Sequence, residues 1–136
     1  MGSLANSVLE HGGTVIGVVP GFLKDQGLAQ DGLTELRVVE TMHERKNLMV
    51  ELADAIIILP GGVGTQDEFW EVLAGAQLRL HSKPCGILNV DGYYDSLLAF
   101  IDRALAEEFI SAGDKDNVLV SQHPEQLLAE LSERTF

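Results

Sequence analysis

The sequence predicts an α/β fold, a parallel sheet with helices covering both faces, and three observations carry that reading. Four short β-branched runs, Thr14 to Val19, Ala55 to Leu59, Cys85 to Val90 and Val118 to Val120, are apolar almost throughout. Strands buried on both sides read this way, whereas half-exposed ones alternate. The segments between the runs place apolar residues three and four apart, as amphipathic helices do. The chain has 136 residues, 46% of them apolar and 22% charged, and no low-complexity stretch, repeat or Pro/Ser linker interrupts it. One globular domain across 1–136 follows.

Taken in order, Leu4 to His11 reads as the end of a helix closed by Gly12-Gly13, because glycine adopts the left-handed conformation that satisfies the last carbonyls. The first strand follows, then a polar, Gly-rich loop from Gly21 to Leu33 that leads to a helix over about Met42 to Ala53. After the second strand, Pro60-Gly61-Gly62-Val63-Gly64-Thr65 makes a tight turn into a helix from about Gln66 to Leu80. Its stripe is Phe69, Val72, Leu73, Ala76 and Leu80. Asp91-Gly92 is a turn, Tyr94 to Glu107 repeats Leu98, Ile101 and Leu105, and Pro124 opens a last helix carrying Leu127, Leu128 and Leu131.

Charge and composition exclude several functions. Nine Lys and Arg against 21 Asp and Glu leave a net charge of −12, which repels nucleic-acid phosphates and anionic membranes alike, so neither is an expected partner. No apolar run reaches the roughly 18 residues of a membrane helix, and the first residues carry no export signal. The single cysteine, Cys85, has no partner for an internal disulfide, and no clustered His or Cys accompanies it as a metal site. A cytoplasmic protein without a bound metal is the expectation.

In a parallel sheet, ligands bind beyond the carboxyl ends of strands, where helix N-termini direct unpaired N–H groups at them. The turn from Pro60 to Thr65 is such a place. Gly61, Gly62 and Gly64 permit positive φ and a close backbone approach to an anion, although a tight strand-to-helix turn alone also needs glycines. The spacing is neither a dinucleotide fingerprint, since Asp67 stands where a third glycine belongs, nor a P-loop, since no Lys-Ser/Thr pair follows. Thr65-Gln66-Asp67-Glu68 also reads as a capping box, which accounts for Glu68 without catalysis. Alternatively Glu68 faces the ligand, with Glu71 on the same helix face or simply in solvent.

The second constellation is Met42-His43-Glu44-Arg45-Lys46-Asn47-Leu48-Met49. On a helix, Arg45 and Lys46 border the apolar face, either with stems packed and charges in water or as counter-charges for a phosphate. The isolated histidines at 11, 43, 81 and 123 read as surface or helix-boundary residues.

Met42-x-x-Arg45-Lys46 followed by Pro60-Gly61-Gly62-x-Gly64-Thr65-x-x-Glu68 resembles the LOG family, the cytokinin riboside 5′-monophosphate phosphoribohydrolases often labelled possible lysine decarboxylases. Val15 to Pro20, Lys83-Pro84, Asn89 and Gly92-Tyr93-Tyr94-Asp95 extend the similarity over essentially the whole chain. The resemblance implies a Rossmann-like sheet and hydrolysis of the N-glycosidic bond of AMP, or an N6-modified AMP, to free base and ribose 5-phosphate. It implies Arg45 and Glu68 as catalytic residues, and Met42, Lys46, Gly61, Gly62, Gly64, Thr65 and Glu71 as substrate and phosphate contacts. No cofactor is implied. A decarboxylase would need a Schiff-base lysine for pyridoxal phosphate, and none of Lys24, Lys46, Lys83 and Lys115 has that context.

The resemblance further implies a homodimer or higher homo-oligomer, with the helices over Met42 to Ala53 and Gln66 to Leu80 at or near the contact; Met42, Met49 and Trp70 suit an interface, though such groups are more often plain core. Two departures from the family stand out. The chain begins near the end of a Gly-Leu-Met-Gly-like stretch, so it reads as N-terminally truncated relative to the family. In the family's expected strand order, 3-2-1-4-5-6, the first strand here would lie apart from the second, leaving a gap. That gap closes if the first strand moves beside the second or a neighbouring chain swaps in, and stays open if the chain is a piece. Ala74-Gly75 also replaces a bulkier Thr-Trp pair, opening room in a pocket or at a dimer contact. The alternative function is a nucleotide-binding member of the family without turnover.

Overall fold

The computed structural model describes residues 1–135, and these fall into two compact units, one over Met1–Leu52 and a second from Ala53 onward. Both are α/β, and all strand pairs are parallel.

The first unit runs α1 (Gly2–Glu10), β1 (Ile16–Pro20), α2 (Gly21–Asp25), β2 (Glu35–Val39) and α3 (Met42–Leu52). The expected glycine stop after α1 is present. Gly12 has φ +77°, and the N–H groups of Gly12 and Gly13 bond to the carbonyls of Leu9 and Val8. β1 pairs with β2 from Ile16↔Glu35 to Pro20↔Val39. Gly17 lets the Leu33 side chain close on the strand, since a Cβ there would lie 2.4 Å from its terminal methyl. The sequence reading passes over both α2 and β2. Glu35 and Arg37 form an ion pair at 2.7 Å along one side of β2, and this polar alternation disguises the strand.

The second unit runs β3 (Ile56–Ile58), α4 (Val63–Gln77), β4 (Cys85–Leu88), α5 (Asp95–Ala106), α6 (Ala112–Asp116), β5 (Val118–Ser121) and α7 (Pro124–Thr135). Its sheet has the order β3-β4-β5. Cys85, Gly86 and Ile87 are consecutive and all buried. Successive strand residues point to opposite faces, so both faces of β4 are covered, as the continuous apolar run predicts. Gly86 admits α7 closely, with Leu127 and Leu131 methyls at 2.9 and 3.0 Å from where its Cβ would be. Phe69, Val72, Leu73, Ile87, Tyr94, Ile101, Leu127 and Leu131 complete the core.

The four predicted strands are present. β1 pairs with β2 and β3 with β4, and the described residues form two separate sheets. The stripe on α4 is shorter than expected, because the helix ends at Gln77: Ala76 is half-buried and Leu80, beyond the end, is 77% exposed. Gly75 opens no room at its own position. The His81 ring lies 3.0 Å from its would-be Cβ, and His81 Nε2 is buried without a hydrogen-bond partner. α6, absent from the sequence reading, is capped by Ser111, whose hydroxyl accepts from the Asp114 N–H at 3.2 Å while the Asp114 carboxylate accepts from the Ser111 N–H at 2.8 Å. That bonding holds the Asp114 carboxyl below its ordinary pKa.

Candidate functional site

The candidate site residues lie at two helix starts, one in each unit. In the second, the backbone leaves β3 through Leu59 and Pro60, turns at Gly61-Gly62 and enters α4 at Val63. Gly62 is the N-cap and has no side chain with which to cap the helix, and the Gln66 N–H bonds to the Gly62 carbonyl at 3.1 Å. This overturns the expected capping box. Thr65 sits three residues inside the helix rather than at its cap, because glycine at 62 lets the first turn form earlier, and Glu68 moves to the second turn.

The three glycines do different things, and none has positive φ. A Cβ at Gly61 would lie 2.1 Å from Thr65 Oγ1, so the chain itself demands glycine there. A Cβ at Gly62 or Gly64 would meet nothing within 4 Å. The chain's own packing therefore does not require glycine at those two positions. The N–H groups of the first turn have no acceptor within a helix and carry the positive end of its dipole. Gly64, Glu68 and Glu71 succeed one another at spacings of four and three, so the carboxylates share a helix face that begins at the open glycine. Both carboxylates are half-buried.

Residues that the sequence analysis gave no role hold this loop. The Tyr94 hydroxyl donates to the Leu59 carbonyl at 2.6 Å, and the Tyr93 hydroxyl donates to the Gly61 carbonyl at 2.9 Å. Burial raises the pKa of the Tyr94 hydroxyl, while a hydrogen bond with the Gly61 backbone pulls it the other way. Tyr94 is held in turn by buried Asn89, whose Oδ1 accepts from the Tyr94 N–H at 2.7 Å and whose Nδ2 donates to Asp95 at 2.8 Å. The Asn89 N–H donates to the Ser121 carbonyl at 2.9 Å, which ties the cluster to β5. Asp91 and Gly92 turn the chain with φ +50° and +72°. The signal in the sequence is the run Asn89 to Asp95, polar and aromatic residues directly after a buried strand.

In the first unit, Met42, Arg45 and Lys46 lie in the first turns of α3. Here the helix start is closed. Thr41 Oγ1 accepts from the Glu44 N–H at 3.1 Å, and the Glu44 carboxylate accepts from the Glu40 N–H at 2.9 Å. Arg45 Nε donates to the Val18 carbonyl of β1 at 3.2 Å, so part of its guanidinium braces α3 against the strand. Arg45 and Lys46 are half-buried and Met42 is exposed.

A family model described as possible lysine decarboxylase matches residues 1–131. The chain belongs to that family, known as LOG. A cytokinin riboside 5′-monophosphate phosphoribohydrolase from Rhodococcoides fascians is 51% identical over 130 residues, which is 95% of this chain and 66% of that protein. One from Arabidopsis thaliana is 44% identical over 133 residues, 98% of this chain and 62% of that protein. This LOG-family chain thus spans less than two thirds of the length of these curated relatives. Among its described residues no helix is long and apolar enough to cross a membrane.

Proposed function

We propose that this chain acts as a phosphoribohydrolase, releasing the base from AMP or an N6-modified AMP and leaving ribose 5-phosphate. The observation that carries the reading is the glycine-capped start of α4, where Gly62 and Gly64 leave the Cβ space empty and a carboxylate follows one turn on. A phosphate bound there faces backbone N–H donors and the positive end of the helix dipole. The names of the relatives support the substrate class.

The chemistry follows from charge. As the bond from the base nitrogen to the anomeric carbon lengthens, the base takes the electron pair and positive charge grows on the ribose. Glu68 stabilises that charge or takes a proton from the attacking water. The water oxygen ends as the new hydroxyl of ribose 5-phosphate, and the base leaves with a proton. Gly61, Gly62, Gly64 and Thr65 hold the phosphate and Glu71 contacts ribose hydroxyls, while Arg45, with Met42 and Lys46, is carried into this reading by the family motif alone. The same reading includes a homodimer. Trp70 and Phe100, 36% and 60% exposed, meet edge to face at 5.8 Å and supply an apolar surface of the kind interfaces use.

The test is incubation of the protein with AMP and isopentenyladenosine monophosphate, following free base by chromatography, beside a Glu68→Ala control. Base release is expected to fall by about 10²- to 10⁴-fold in the control, the range for losing a positioned acid or base. AMP binding without release from the unmodified protein would instead identify a nucleotide-binding family member without turnover. Sedimentation velocity tests the dimer, and a single monomeric boundary at assay concentration would remove it.

A further inference from the structure

We propose that Tyr93 is a positioning residue that locks the Gly61–Gly62 peptide so that the Gly62 N–H serves as a phosphate donor. The inference rests on the phosphate-binding reading of the loop and adds a residue to it.

The argument starts from the planarity of the peptide bond. In a trans peptide the carbonyl oxygen of one residue and the N–H of the next point in opposite directions, so fixing one fixes the other. The Gly61 oxygen is held by the Tyr93 hydroxyl at 2.9 Å, which aims the Gly62 N–H away from the ring. Flanked by two glycines, this peptide has no Cβ on either side to favour one orientation over its flipped form. If it turns over, the loop presents a carbonyl oxygen where it had presented a donor, and an anion meets repulsion. One exposed hydroxyl thus decides the sign of the dipole that the loop offers.

The neighbouring constraints do not do this. Tyr94 secures the Leu59 carbonyl, two peptides earlier, and bonds to the Gly61 backbone. Tyr94 is 2% exposed and belongs to the core, whereas Tyr93 is 57% exposed and leans edge-on against Tyr94 with centroids 4.9 Å apart. Removing the Tyr93 hydroxyl therefore leaves the core intact and frees only the orientation of the peptide. The consequence is discrimination between ligands, since binding of a nucleoside 5′-monophosphate depends on this hydroxyl and binding of the unphosphorylated nucleoside does not.

The experiment compares the unmodified protein with Tyr93→Phe by calorimetric titration with AMP and with adenosine, and by amide NMR of Gly62 without ligand. Tyr93→Phe is expected to weaken AMP binding about five- to tenfold, the worth of one hydrogen bond. Adenosine affinity and melting temperature should stay unchanged, and the Gly62 amide should gain exchange broadening. In turnover the loss should fall on KM, with kcat nearly unaltered. Equal AMP affinity in the two proteins would overturn the inference while leaving the phosphoribohydrolase reading in place, as would equal losses for AMP and adenosine. If the unmodified protein binds no AMP, the functional reading fails first. The NMR comparison then decides the lock by itself, and identical Gly62 relaxation in both proteins overturns it.

Discussion

α3 and α4 both begin a few residues after a parallel strand, yet their starts are built in opposite ways. At α3, Thr41 and Glu44 take up backbone N–H groups with their own side chains. At α4 the cap is Gly62, which has no side chain to bond to the first turn, and the Cβ space at Gly62 and Gly64 is empty. A side-chain cap typically stabilises a helix by about 1 kcal/mol. A glycine cap at α4 gives up part of that stability. The difference shows that the polarity of a helix start is set by what the chain puts in front of it, since every helix carries the same dipole.

Substitutions at the two starts should separate these roles. The largest stability effect is expected from Gly61→Ala, whose methyl would collide with Thr65 Oγ1. Overpacking of this kind costs about 1 to 3 kcal/mol, measured as a lower midpoint in urea, and a midpoint unchanged from the parent would mean that the loop relaxes freely. Thr41→Ala should cost about 1 kcal/mol and leave AMP affinity unaltered, because that cap serves only the fold. A loss of AMP binding from that substitution would erase the contrast between the two helices. Gly64→Ala sharpens it most. Alanine inside a helix is favoured over glycine by up to about 1 kcal/mol, and here the methyl enters open space, so the melting temperature should rise. AMP binding should weaken at the same time. If both improve, no ligand approaches the backbone at Gly64.

The strands of the second unit are legible in the sequence because burial on both faces leaves uninterrupted apolar runs, as at Cys85 to Leu88. β2 hides because Glu35 and Arg37 share one of its sides, so that the strand alternates and merges with the polar segment before it. The capping box is misplaced for a related reason. Thr41-Met42-His43-Glu44 and Thr65-Gln66-Asp67-Glu68 have the same pattern, and only the backbone decides which threonine precedes its helix. Gly62 starts α4 early and carries Thr65 inside it. At the site, the glycine loop and Glu68 are readable from their spacing. The tyrosines are not, because they act on the loop from more than 30 residues away in sequence, with |i−j| of 32 and 35. The pairing of a hydroxyl with a distant carbonyl leaves no local pattern.

The lone cysteine makes the three-stranded sheet its own stability gauge. Cys85 is 3% exposed, and it opens the central strand, where its neighbours across the sheet are Ile56 and Val118. Burial pushes its thiol up to about 12 from an ordinary 9.0. At neutral pH the native thiol is thus both inaccessible and protonated, and a thiol reagent can modify it only after the sheet opens. The labelling rate counts those openings directly, strand by strand separation at a single atom. Alkali should increase them. An unfolded chain gives up the proton near 9.0 while the native state retains it to about 12, so stabilisation present below 9.0 is lost as pH rises through that window.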